Sequence, residues 1–165
     1  MEAKGIKVSI IIPVYNVAPY IGDCLRSVMR QTYQGAMECL LIDDCGTDDS
    51  IAIAEGMIRE YDANANVNLN ANLDLEVNAN LNLDDNEDGG IRFRIIRHER
   101  NRGLSAARNT GTFEAVGEYL YYLDSDDEIT DDCIEKLMEV VLNDSDIEMV
   151  QGGICRLLMN GSSDL

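Results

Sequence analysis

Basic residues are scarce in this sequence. Thirteen lysines and arginines face 31 aspartates and glutamates in 165 residues, a formal charge of −18 at pH 7. So large an acidic excess argues against nucleic acid, or an anionic membrane surface, as the main partner. No C-x-x-C pair occurs among Cys24, Cys39, Cys45, Cys133 and Cys155, so neither a zinc knuckle nor a redox motif is indicated. Their odd number and wide spacing suit small apolar fillers in a reducing cytosol. No G-x-x-x-x-G-K-S/T sequence is present, which excludes a P-loop NTPase. No stretch approaches the roughly 20 apolar residues of a membrane span, and the start, Met-Glu-Ala-Lys-Gly, carries no hydrophobic signal region. These absences predict a soluble, cytoplasmic chain without a transmembrane segment.

What is present suits one domain with a substantial core. Apolar residues make up 45%, an ordinary share for a globular protein. The acidity is uneven: residues 62–90 hold seven Asp and Glu and no Lys or Arg, and without them the formal charge falls from −18 to −11. Six of the ten arginines lie between Arg92 and Arg108, one basic zone in an acidic chain.

Val8 to Asn16 is a short apolar run ended by Pro13 and predicts a buried strand with the turn leaving it. From Pro19 to about Tyr33, Ile21, Leu25, Val28 and Met29 recur at helical spacing. Cys39 to Asp44 predicts a second buried strand, and Thr47-Asp-Asp-Ser50 supplies caps to a helix whose inward face is Ile51, Ala54, Ile58 and Tyr61. Ile91–Arg97 reads as a strand. Asn101–Gly111 opens a helix whose small residues let it lie close to a sheet. Glu118–Asp124 reads as a buried parallel strand, fed by Gly117 and closed by acids. A helix capped by Thr130 follows, and then a strand over Ile147 to about Gly152. Strand and helix alternate, which predicts an α/β fold with a mostly parallel central sheet.

Residues 62–90 break this pattern. From Ala63 to Leu83 every odd position is Ala, Val or Leu and every even one Asn, Asp or Glu, which is strand periodicity. Small side chains and abundant Asn leave little to bury against the entropy of ordering. A low-complexity loop or protruding hairpin is expected here, with an integral strand pair as the alternative.

A parallel sheet brings the ends of three strands, at Asn16, Asp44 and Asp124, to one edge, where open α/β folds bind ligands. Asp124, Asp126 and Asp127 repel one another unless a cation or proton donor lies among them. They read either as a divalent-metal site holding a phosphorylated substrate or as a solvated turn capping the next helix. An EF-hand loop is disfavoured, because Ile129 stands where its sharp turn needs glycine and a strand precedes it. The single histidine, His98, beside Glu99 and Arg100, reads as a surface residue.

Four stretches in this order carry a family resemblance: Val8-Ser-Ile-Ile-Ile-Pro-Val-Tyr-Asn16, Leu41-Ile-Asp-Asp-Cys-Gly-Thr-Asp-Asp-Ser50, Asn101-x-Gly-Leu-Ser-Ala-Ala-Arg-Asn-x-Gly111 and Gly117-Glu-Tyr-Leu-Tyr-Tyr-Leu-Asp-Ser-Asp-Asp127. Together they resemble the family 2 glycosyltransferases of GT-A fold over about residues 6–155, apart from the insert. The resemblance implies a Rossmann-like three-layer fold. Residues 1–61 would form its first part, 62–90 an insertion, and 91–165 its second part through the Asp-x-Asp motif. It implies that Pro13, Val14, Tyr15 and Asp44 hold the nucleotide, with Asn101, Gly103 and Arg108 beside it. Asp124, Ser125 and Asp126 would hold the sugar diphosphate, with Asp126 and Asp124 binding Mg²⁺ or Mn²⁺. The implied donor is a nucleotide-diphosphate sugar, a UDP-sugar first among them, and the implied acceptor a glycan or lipid-linked hydroxyl. Polysaccharide biosynthesis in the cytoplasm, or at the cytoplasmic face of the membrane, is the matching setting. In inverting members a carboxylate base activates the acceptor hydroxyl, and the resemblance puts that base beyond Leu165. Two alternatives stand beside this enzyme: a non-catalytic remnant that binds the nucleotide sugar, and a nucleotidyltransferase of related fold.

Overall fold

The computed structural model describes residues 7–70, 90–144, 146–153, 156–157 and 163–164. Four strands, β1 (Val8–Val14), β2 (Met37–Asp43), β3 (Ile91–Arg97) and β4 (Tyr119–Tyr122), form a sheet in the order β3-β2-β1-β4. All three pairings are parallel, with Val8 opposite both Met37 and Tyr119, and Met37 opposite Ile91. Helices α1 (Ile21–Met29), α2 (Ser50–Asn70), α3 (Leu104–Glu114) and α4 (Cys133–Asn143) connect or follow these strands, and a two-residue antiparallel pair, β5 (Arg156–Leu157) and β6 (Ser163–Asp164), comes last.

Strand β1 is buried along its whole length because it lies between two strands and two helical layers. Ile10, Ile12, Val14, Cys39 and Leu41 face one way, into a core with Ile21, Leu25 and Val28 of α1 and Ile134 and Met138 of α4. Ile11, Leu40 and Ile42 face the other way, under Ala107 of α3. Each such aliphatic side chain contributes about 1.5–3 kcal/mol by leaving water. Helix α3 lies close to the sheet, as its small residues predict: a Cβ on Gly111 would stand 2.4 Å from Ile11 Cγ2. Pro13, which has no N–H to give a ladder, follows the end of the β1–β4 pairing at Ile11 and Tyr122.

At the opposite edge from the strand ends, Glu38 is fully buried. It accepts from the Ser9 hydroxyl at 2.6 Å, the Val116 N–H at 2.7 Å and Arg92 Nη2 at 3.1 Å. Ser9 Oγ in turn accepts from the Gly117 N–H at 2.8 Å. The turn from α3 into β4 is thereby tied to the start of the sheet.

Three local expectations are corrected. Among the described residues strand β4 is an edge strand rather than a buried one: it pairs there with β1 alone, and Leu120 and Tyr122 are exposed. An apolar run records what its residues can bury, not how many neighbours the strand has. Second, helix α2 continues to Asn70, so residues 62–70 are helical where the alternation favours a loop or strand. Extending a formed helix fixes one residue per new hydrogen bond, and alternating Ala and Asn does not stop it. The rest of that segment, 71–89, lies outside the described residues. Third, residues 147–153 form no strand.

Candidate functional site

The turn after β1 is fastened to the loop after β2 by side chains. Asn16 adopts a left-handed φ of 53°, and its Oδ1 accepts from the Thr47 N–H at 2.7 Å. Asp48 Oδ2 accepts from the Ala18 N–H at 2.8 Å, and Ser50 Oγ from the Val17 N–H at 2.9 Å. Of the three residues expected here, Pro13 and Val14 are buried in β1, and only Tyr15 presents its side chain to solvent. Pro13 and Val14 are thus part of the sheet itself, and Tyr15 is the exposed one of the three.

Asp44 follows β2 directly and meets the start of α3. Its Oδ1 accepts from the Arg102 N–H at 2.8 Å and lies 2.7 Å from His98 Nδ1, and its Oδ2 accepts from the Gly103 N–H at 2.7 Å. Burial pushes the Asp44 carboxyl up, but His98 and these two N–H donors outweigh it and hold it below the usual carboxylate range. Asn101 Oδ1 accepts from the same Gly103 N–H at 3.0 Å. Gly103 has φ 85° and ψ 162°, a region open essentially to glycine alone. Asp44, Asn101 and Gly103 are thus one unit, which sets the angle at which α3 begins.

His98 corrects its reading as a surface residue. Its side chain is 4% exposed, enclosed between Asp44 and Thr110, whose Oγ1 lies 2.9 Å from Nε2. Polar neighbours in sequence concealed this, because the enclosing residues lie 54 and 12 positions away. Next to Asp44, Cys45 has φ 60°, a left-handed conformation that favours glycine. An open hollow of about 530 Å³, lined by Arg97, His98, Glu99, Arg100 and Arg102, adjoins these residues at the end of β3.

The acid cluster follows β4. Asp124 Oδ1 pairs with Arg108 Nη2 at 2.5 Å, joining the body of α3 to the strand end. Arg108 Nε is buried and has no partner among the described residues. Ser125 is buried, whereas Asp126 is exposed. Burial and the charges of Asp126 and Asp124 push the Asp127 carboxyl up. Burial and the same acids, with Glu128, push the Cys24 thiol to about 12. The cluster is short of positive charge, which fits a divalent cation. Among the described residues no three His, Cys, Asp or Glu side chains are grouped so that they could hold a metal ion by themselves.

The sequence profile described as Glycosyl transferase family 2 matches residues 9–81 and 78–156. EpsJ of Bacillus subtilis, an uncharacterized glycosyltransferase, is 35% identical over 132 residues, covering 80% of this chain and 29% of its own length. An uncharacterized glycosyltransferase of Haemophilus influenzae is 33% identical over 135 residues, 82% of this chain and 42% of its own. S. aureus TarS in complex with UDP has a similar fold, with a TM-score of 0.62 at 24% identity over 84% of this chain and 32% of that one. The mannosyltransferase PcManGT of Pyrobaculum calidifontis, in complex with GDP-Man and Mn²⁺, gives 0.50 at 22% identity over 76% of this chain and 28% of that one. The chain therefore spans well under half the length of these relatives, within the GT-A fold. It belongs to glycosyl transferase family 2.

Proposed function

We propose that this chain forms the donor-binding part of a glycosyltransferase. It would bind a nucleotide-diphosphate sugar, a UDP-sugar first among them, and present the sugar to an acceptor hydroxyl on a glycan or lipid-linked molecule. The observation that carries this reading is the meeting, at one edge of a parallel sheet, of Tyr15, the Asp44–Asn101–Gly103 unit and the Arg108–Asp124 pair, with Asp126 exposed beside them.

Transfer breaks the bond between the anomeric carbon and a diphosphate oxygen, so positive charge grows on the sugar and negative charge on the leaving group. Asp126, helped by Asp124, would hold Mg²⁺ or Mn²⁺, which supplies Lewis-acid stabilisation to the departing diphosphate. Arg108 adds a fixed cation at the same place, its Nε without a partner among the described residues. Asp44, 3% exposed, would act on the nucleoside through the Gly103 turn it holds, and Tyr15 offers the nucleoside an exposed ring. Ser125 lies buried between the two acids in sequence. In this reading the reaction inverts the anomeric centre, and a carboxylate base takes the acceptor proton.

Calorimetric titration of the folded chain with UDP tests the reading. Saturable binding that strengthens with Mn²⁺ supports it. Absence of binding to both UDP and GDP, with circular dichroism showing a folded chain, contradicts it.

A further inference from the structure

We propose that Gln31 and Ser27 are positioning residues of the acid turn, and that together they set where Asp126 stands toward a divalent ion. The proposal rests on the donor-binding reading above and deepens it by naming what holds the metal-bearing turn.

The Asp126 side chain is exposed, so its place is fixed by whatever holds the backbone around it. The turn closes on itself through the Asp127 N–H, which donates to the Asp124 carbonyl at 3.0 Å. Ahead of it, Arg108 pairs with Asp124. Behind it, the chain is held by α1 and the turn that leaves this helix. Cys24, Ser27 and Gln31 follow one another there at steps of three and four residues, the spacing of one helix face. Cys24 Sγ lies 3.8 Å from the Asp124 carbonyl oxygen. Ser27 Oγ accepts from the Ile129 N–H at 3.2 Å and gives its own hydrogen to the Cys24 carbonyl at 2.7 Å. Gln31 Nε2 donates to the carbonyls of Thr130 at 2.7 Å and Ser27 at 3.0 Å. Its Oε1 accepts from the Ile134 N–H at 2.9 Å.

These three Gln31 bonds need a side-chain amide, with two hydrogens for two carbonyls and an oxygen for one N–H. The oxygen serves the start of α4, whose N-cap Asp132 makes no side-chain cap bond. That contact alone would make Gln31 a helix cap. The Ile129 and Thr130 contacts do something else, because they fasten the backbone three and four residues beyond Asp126. Metal affinity depends on such support: loss of an outer partner costs about 10–100-fold, since a ligand held loosely no longer meets the ion.

The test is calorimetric titration of the full chain with UDP, with and without Mn²⁺, for the wild type, Gln31→Met, Ser27→Ala, Ser27→Thr and Thr32→Val. Gln31→Met is expected to cut the Mn²⁺-dependent gain in UDP affinity about tenfold while leaving metal-free affinity as in the wild type. Ser27→Ala should lower the gain in the same direction by less, and Ser27→Thr, which keeps the hydroxyl, should recover it. Thr32→Val is the structural control. It removes the bond from Thr32 Oγ1 to Glu135 in the first turn of α4 and should lower thermal stability without moving the gain.

If Gln31→Met does not fold, Ser27→Ala carries the test. An unchanged Mn²⁺ gain in the folded variants overturns the proposal and leaves the donor-binding reading intact. A loss in Thr32→Val as large as that in Gln31→Met also overturns the proposal alone, since the gain would then follow the packing of α1 on α4 in general. A wild type that binds UDP with no gain from Mn²⁺ overturns the metal role of Asp126, and the proposal with it. A wild type that binds neither UDP nor GDP overturns the donor-binding reading, and again the proposal with it.

Discussion

The backbone N–H of Gly103 donates to Oδ2 of Asp44 at 2.7 Å, across 59 residues of sequence. Through that bond the residue after β2 fixes the residue that opens α3, and α3 carries Arg108 to Asp124. Two parts of the proposed site, the Asp44–Asn101–Gly103 unit and the Arg108–Asp124 pair, are therefore coupled mechanically, which several substitutions can expose.

Gly103→Ala should cost about 1–3 kcal/mol in urea denaturation, because φ of 85° is strained for any residue with a Cβ. Nothing lies within 4 Å of where that Cβ would stand, so the cost is conformational and not steric. Relaxing toward negative φ would move the Gly103 N–H from Asp44, so UDP binding should weaken with stability. Unchanged stability would show that this turn has another conformation available to it.

Gly111→Ala tests how close α3 lies to the sheet. Its Cβ would meet Ile11 Cγ2 at 2.4 Å, and overpacking of this kind costs about 1–3 kcal/mol. In the Ile11→Ala background the same change should cost much less, and a double-mutant cycle measures the coupling. Additive effects would place the two side chains apart.

Acid should destabilise the protein partly through Glu38 and Asp44. Burial pushes both carboxyls up, but their donors outweigh it: Ser9, the Val116 N–H and Arg92 for Glu38, and His98 with the Arg102 and Gly103 N–H groups for Asp44. Both are held below the ordinary range when folded, so on acidification the unfolded chain takes up protons first. Their contribution is complete above the unfolded carboxyl pKa of about 4 and is lost as pH falls through the lower folded values. Glu38→Gln should cost about 1–3 kcal/mol at pH 7 and flatten the fall in stability below about pH 4. An acid slope equal to that of the wild type would contradict the assignment for Glu38.

Much of this architecture is legible in the sequence, for reasons that differ by element. Val8–Val14 declares itself because a central strand buried on both faces has to be apolar at successive positions. The acids at 43–44 and 124–127 can be placed at one edge because parallel order brings their strand ends together. His98 could not be read, since its burial is made by Asp44 and Thr110 and not by its neighbours. The Asn16–Thr47 and Asp48–Ala18 bonds are similarly invisible locally, although Asn in a left-handed turn and Asp before a helix are the residue types such loops use. The alternation from Ala63 to Asn70 misled because a period of two specifies a strand only where a sheet is there to receive it, and α2 reaches these residues first.

The most direct test of the donor site compares Mn²⁺-dependent UDP binding in the wild type, Asp126→Ala and Asp124→Asn by calorimetry. The account predicts that Mn²⁺ strengthens UDP binding in the wild type, that Asp126→Ala abolishes this gain, and that Asp124→Asn reduces it. Mn²⁺-strengthened UDP binding that survives intact in a folded Asp126→Ala variant would contradict the account.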